Sequence, residues 1–221
     1  MADQTTISPE TQVGLAASQH SLIVATDVSA DDYMEHYAEQ RCEWVKGVVY
    51  QVAPATLSHN LIIDYLYDLL RYYFRNTHIG KVVRSPFVMR LDDVESRREP
   101  DLFVVLNTNT NPMTETYIDG PADIAIEIVS PGSISTDYGA KFEEYEKGGV
   151  PEYWIFDWVR EVAFFYRLNE EKLYKLQSLD EDQNYRTPLL PELVLHIPTL
   201  WQEEPPDVEA VREAVLKMLQ K

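Results

Sequence analysis

Three short runs constrain this chain more than anything else in it: DLFVVL (101–106), DIAIEIV (123–129) and PEYWIFD (151–157). Apolar residues follow one another in each instead of alternating with polar ones. A continuous apolar run of this length belongs to a strand covered on both faces. Other elements must therefore pack above and below. Two of the runs carry a carboxylate where a strand core is expected. Asp101 begins the first, and Glu127 lies inside the second. A charge in such a strand costs several kcal/mol to bury unless it is paired or binds a metal. Two of them, 26 residues apart on strands that can lie side by side, point to a divalent-metal site.

The rest of the chain supplies the covering elements. Residues 1–26 show neither helical nor strand period and read as a flexible tail, with an extended piece over 21–25. The domain proper is expected over 27–221. Ser29, with Asp32 three residues on, resembles a capping box and opens a helix over about 30–40. RCEWVKGVVYQVA (41–53) reads as a hairpin turning at Lys46-Gly47, with Glu43 near its start and Val48, Tyr50 and Val52 alternating on one face.

The clearest helix covers 56–76. Leu57, Leu61, Ile62, Tyr65, Leu66, Leu69, Leu70 and Tyr73 recur at helical spacing, and His59 sits near the start. KVVRSPFVMRL (81–91) is a strand that Pro86 interrupts. Residues 91–99 read as a charged turn, and 107–120 as a polar loop. Ser135 or Thr136 caps a helix that Gly148-Gly149 ends. Strands follow at 151–157, 161–168 and 172–179, with a short late strand near 192–198. An amphipathic helix closes the chain. The expected fold class is α/β (α+β): a mixed β-sheet flanked by helices, in a single domain.

Composition narrows the setting. The 221 residues suffice for one sizeable core. Cys42 is the only cysteine, which excludes a disulfide within one chain and a multi-cysteine zinc site and fits a reducing cytoplasm. No run is long and apolar enough to span a membrane. The net charge of −18 repels phosphate backbones at long range. It is uneven, however: residues 41–100 hold nine Lys/Arg against seven acids. A local basic face stays compatible with the composition, as does a merely solvated acidic surface.

Metal-dependent phosphodiester cleavage needs hard oxygen ligands, open coordination positions and a group that stabilises charge or positions water. Asp101 and Glu127 suit the ligand role for Mg²⁺ or Mn²⁺. The Ile128 carbonyl can add an oxygen, and Glu43 a third carboxylate. Lys141, on the helix after the second strand, can reach back over the strand ends to stabilise the transition state.

The runs EPDLFVV, DIAIEIVSPGS and DYGAKFEEYEKGGVPEYWIFD together resemble the Uma-type restriction endonucleases, common in cyanobacteria and part of the PD-(D/E)-x-K nuclease superfamily. The resemblance implies a restriction-endonuclease-like fold, a Mg²⁺-dependent endonuclease and DNA as substrate. It places the family's Pro-Asp on Pro100-Asp101, its strand glutamate on Glu127, its N-terminal acid on Glu43 and its helix-start histidine on His59. One departure matters. The superfamily motif has lysine two residues after the strand glutamate, where this chain has Val129; the lysine role then falls to Lys141.

Duller readings stand beside these. Asp101 can pair with Arg97 or Arg98, Glu127 can belong to a structural ion pair, and Lys141 can pair with Asp137 one turn away. For the whole chain the alternative is a nuclease-fold protein without catalysis that serves as a binding module. Either is compatible with a homodimer formed through Phe164, Phe165, Tyr166 and Tyr174.

Overall fold

Pro86 divides the molecule. The computed structural model describes residues 22–52 and 54–220. In it the stretch read as one interrupted strand is two strands in two different sheets. β4 (Gly80–Arg84) and β5 (Val88–Leu91) flank the proline, which supplies no N–H for a ladder, and the chain changes sheet there. The expected single mixed sheet is thus two six-stranded ones among the described residues.

The first sheet gathers the N-terminal half. β1 (Ile23–Ala25) pairs with β3 (Val48–Gln51), and β3 with β2 (Cys42–Val45). β6 (Ser96–Arg98), β5 and β8 (Tyr117–Asp119) complete it. The extended piece expected over 21–25 contains β1; of the tail expected over 1–26, residues 1–21 lie outside the described residues. Lys46 and Gly47 both have positive φ, as a two-residue hairpin turn needs. Val49, between the alternating positions, is the residue that β3 buries. Helix α1 (Ala30–His36) starts where expected, with Ser29 accepting from the Asp32 N–H.

The second sheet runs β12 (Tyr174–Leu176), β11 (Val162–Leu168), β10 (Glu152–Asp157), β9 (Ile124–Val129), β7 (Leu102–Leu106), β4. β9 and β10 are parallel, joined by a π-helical turn (Thr136–Ala140) and helix α3 (Lys141–Lys147); β7 is antiparallel to β9. The three apolar runs are therefore the central strands, and almost every residue of them is buried. Their even-numbered residues Leu102, Val104, Ile124, Ile126, Trp154 and Phe156 pack under helix α2 (Leu57–Thr77) and helix α4 (Val208–Leu219). Their odd-numbered residues Phe103, Ala125, Val129, Tyr153 and Ile155 pack with Met89, Leu91 and Ile118 of the first sheet and Tyr145 of α3. A short pair, β13 (Asn184–Tyr185) and β14 (Leu195–His196), stands apart from both sheets.

Four local expectations are corrected. The apolar stripe of α2 is turned: Leu57 is exposed, while Ile63, Phe74 and His59 are buried. Neither Ser135 nor Thr136 makes a side-chain cap, because Ser135 already has helical φ and ψ whereas a capping residue is extended. The charged stretch 91–99 contains β6, buried along its whole length, and the polar loop 107–120 contains β8. Phe165 and Tyr174 are buried within the chain, Phe165 against Trp154 and Tyr174 against Phe142, so they offer no face to a second copy.

Candidate active site

Glu127 faces the odd-numbered side of the central sheet, between Ala125 and Val129. The β7–β9 ladder sets Leu102 opposite Ile126; one residue further, the same register sets Asp101 opposite Glu127. Both carboxylates thus share one face. The Ile128 N–H donates to Asp101 Oδ2 at 2.8 Å, which ties the two strand ends together.

Lys141 approaches from the other direction. Its backbone N–H bonds to the Thr136 carbonyl, five residues back, so the helix is one residue wider just before it. Its Nζ lies 2.9 Å from Glu127 Oε1, 3.3 Å from Asp137 Oδ1 and 3.6 Å from Glu43 Oε1. Val129 stands on the same sheet face as Glu127, and the ammonium beside Glu127 comes from the helix above that face.

A buried scaffold fixes this helix. Arg98 grips Glu144, one turn beyond Lys141, through Nε and Nη2 at 2.9 and 2.8 Å, and reaches Glu43 Oε2 through Nη1 at 2.8 Å. Ser96 adds a hydroxyl bond to Glu144. The Glu99 N–H donates to Glu43 Oε1 at 3.2 Å, so both Glu43 oxygens are already engaged. Asp101 pairs with neither neighbouring arginine: Arg97 binds Asp92, and Arg98 belongs to the scaffold. His59, buried at the start of α2, meets Asp101 Oδ2 through Nε2 at 3.2 Å. Tyr145 donates to Glu127 Oε1 at 2.8 Å.

Six carboxylates, Glu43, Glu99, Asp101, Glu127, Asp137 and Glu144, therefore crowd round one ammonium and one guanidinium. Burial pulls Lys141 down, but Glu127, Glu43 and Asp137 outweigh it and hold the lysine well above its usual range. Burial pushes Glu127 well above the ordinary carboxylate value, against the pull of Lys141, and the Asp101 and Asp137 charges add to it. Asp137 is raised chiefly by burial, and Glu99, buried beside Glu43, is pushed up to about 8. Glu43 alone is lowered: Lys141 and Arg98 overcome its burial. Burial opposes the charged form of His59 too, yet its bond to Asp101 leaves it raised.

These groups line a cleft of about 650 Å³. Among the described residues no three His, Cys, Asp or Glu side chains are gathered as a ready ligand set. The donor chemistry nevertheless suits a hard dication. The contacts to Asp101 fall on Oδ2 and those to Glu127 on Oε1, which leaves Asp101 Oδ1 and Glu127 Oε2 without partners among the described residues. One or two carboxylates, completed by water and phosphate oxygens, are the ordinary setting of Mg²⁺. The sequence pattern alone showed Asp137 only as a helix partner of Lys141 and did not reveal Arg98, Glu99, Glu144 or Tyr145 as members. The one visible signal was the dense charge of SRREPD directly before an apolar strand.

No curated protein matches the chain. Among solved structures it is similar to one described as "a putative nuclease belonging to DUF820" from Anabaena variabilis, with 19% identity and a TM-score of 0.65 over 79% of this chain and 97% of that one. At that identity the likeness shows the fold. The family model named Uma2, described as "putative restriction endonuclease", matches residues 30–198, which take in every described strand except β1, with Asp101, Glu127 and Lys141. The chain therefore belongs to the Uma2 family, the one that this description names.

Proposed function

We propose that the protein is a divalent-metal-dependent endonuclease that hydrolyses DNA phosphodiester bonds at the Asp101–Glu127–Lys141 centre. The observation that carries this is the ammonium 2.9 Å from Glu127, on the sheet face that Asp101 shares. Asp101 and Glu127 would hold Mg²⁺ or Mn²⁺ through their unpartnered oxygens, with the Ile128 carbonyl at the cleft wall as a third donor. The bound ion supplies Lewis-acid stabilisation and a more acidic water. Glu43 was a candidate ligand by sequence; with both oxygens engaged, it is assigned here to holding Lys141 and Arg98.

The side chains divide the work. Lys141, kept protonated by three carboxylates, offers its charge where negative charge builds on the transferring phosphate. His59, also lining the cleft, holds Asp101 through Oδ2 and so leaves Oδ1 for the ion. Arg98 and Glu144 fix the helix that carries the lysine. DNA as substrate rests on family membership. A cytoplasmic setting accords with the single buried cysteine, and no described helix is long and apolar enough to cross a membrane. A homodimer remains part of the reading, with Phe164 and Tyr166, half-buried on β11, as the aromatic residues still open to it; light scattering tests it.

The deciding experiment is nicking of supercoiled and linear DNA with Mg²⁺ or Mn²⁺, by the wild type and by Glu127→Ala and Asp101→Ala. Metal-dependent nicking by the wild type, lost in both variants, is the expected result. Nicking that survives both substitutions rules out this centre. A wild type inactive under every condition favours the binding-module alternative.

A further inference from the structure

We infer that the nucleic-acid backbone is gripped by two arginines, Arg41 beside Glu43 and Arg84 beside Asp101, and that the footprint on the strand is correspondingly short. This rests on the nuclease reading above.

The cations lining the cleft are Arg41, Arg84 and Lys141, together with His59. Lys141 is surrounded by three carboxylates and His59 is bonded to Asp101, so neither is free to meet a flanking phosphate. Arg41 is exposed and makes no ion pair among the described residues. Its carbonyl accepts from the Val52 N–H at 2.9 Å and the Gln51 side-chain amide at 3.1 Å, which fixes its backbone two residues before Glu43.

Arg84 ends β4 opposite Leu102, and the next N–H, that of Ser85, donates to the Asp101 carbonyl at 3.2 Å. Its guanidinium stands over the Tyr67 ring, 5.4 Å from the centroid, and 3.5 Å from Asp64. Both members of that ion pair are about half exposed, at 48% and 61%, and such a pair is worth little and yields readily to a phosphate. Each sheet thus sends one available guanidinium into the cleft, anchored through its backbone next to a site carboxylate. Beyond these two, the net charge of −18 opposes a long duplex contact.

Neutralising Z phosphates gives a salt slope of roughly −0.9Z on duplex DNA and −0.7Z on single strands. Two arginines therefore predict a slope of about −2 on a duplex, far shallower than the roughly −10 of an extensive interface. The test is fluorescence anisotropy of a short fluorescein-labelled duplex over a range of KCl concentrations, with Ca²⁺ present so that the strand stays intact. The wild type, Arg41→Ala, Arg84→Ala, the double variant and the two Arg→Lys variants are compared. Each alanine should reduce the slope by about 1, the double variant should flatten it, and the lysine variants should keep it. Thermal melting should be unchanged throughout, since both side chains are exposed.

A wild-type slope several times steeper, or slopes unchanged by the alanines, overturns the inference. If the wild type nicks DNA while the slopes stay fixed, the arginines are discarded and the nuclease reading stands. A wild type that neither binds nor nicks discards both.

Discussion

Glu127 and Glu152 are buried glutamates on adjacent strands of one sheet, 2% and 0% exposed, yet their surroundings are opposite in kind. Glu152 faces the side with α2 and α4. Arg167 and Thr187 donate to its Oε1, both at 2.6 Å, and Trp154 and Tyr185 to its Oε2, both at 2.9 Å. Every donor is matched and no second carboxylate intrudes. Among the described residues Glu127 has Lys141 and Tyr145 on one oxygen, nothing on the other, and three more acids, Asp101, Asp137 and Glu43, around it. A buried carboxylate with all its oxygens satisfied holds a fold together. One left half-satisfied among like charges stores a binding capacity, at a cost that the rest of the core must cover.

The comparison is broken or sharpened most forcefully by the paired substitutions Glu127→Gln and Glu152→Gln. The first should reduce metal-dependent nicking by at least ~10³-fold, to background, while thermal melting stays level or rises, because it relieves crowding. The second should cost about 3 kcal/mol, since it strips Arg167 of its partner. That corresponds to a melting temperature lower by roughly 6–12 °C in a chain of this size, with nicking kept at low temperature. The reverse pattern would mean that the two glutamates have exchanged roles.

Next in size is Lys141→Met. Turnover should fall about 10²–10³-fold, well beyond any loss of Mn²⁺ affinity measured by calorimetry. Equal losses would make the lysine a structural cation. Arg98→Lys then tests the scaffold. A lysine cannot reproduce the two-pronged grip on Glu144, so turnover should drop about tenfold while substrate affinity holds. A fully active Arg98→Lys would show that helix α3 needs no such clamp.

The smallest effect lies at the end of β10. Asp157 is buried and bound by Arg160 and Tyr138; their hydrogen bonds outweigh burial and hold its carboxyl below the usual range. Because the folded value is the lower one, its contribution is present above the unfolded pKa and fades as pH falls through the folded one. Asp157→Asn should therefore lower the melting temperature at neutral pH by about 2–4 °C and leave it nearly unchanged in strong acid. A deficit of equal size at both pH values would sink that assignment.

The unequal legibility of these residues has a physical cause. Asp101 and Glu127 stood out because each interrupts an apolar run, and a buried charge without a local partner demands explanation. The Asp137–Lys141 pair was visible because helical spacing brings such residues together. The pairing of Arg98 with Glu144 left no local trace: 46 positions separate them, and in isolation SRRE and FEEYEK read as solvated surface. Glu152 was hidden for the same reason, three of its four partners lying 15 to 35 residues downstream. The central strands were plain from their composition. The division into two sheets was not, because a proline signals a break without saying where the chain goes next.

The π-helical turn at Thr136–Ala140 carries a last consequence. A strand has room for a motif lysine at one fixed position, whereas a helix offers any position that its winding aims at the sheet. Removing one residue from this turn would rotate everything after it by roughly 100°. Gly139, with open space about it, is where such a loss would disturb packing least. Lys141 would then still be present in the chain but would face away from Glu127. The charge at the heart of this centre is thus held by a residue count as much as by a residue type, and a gap of a single position in this turn would separate family members with a positioned ammonium from those without one.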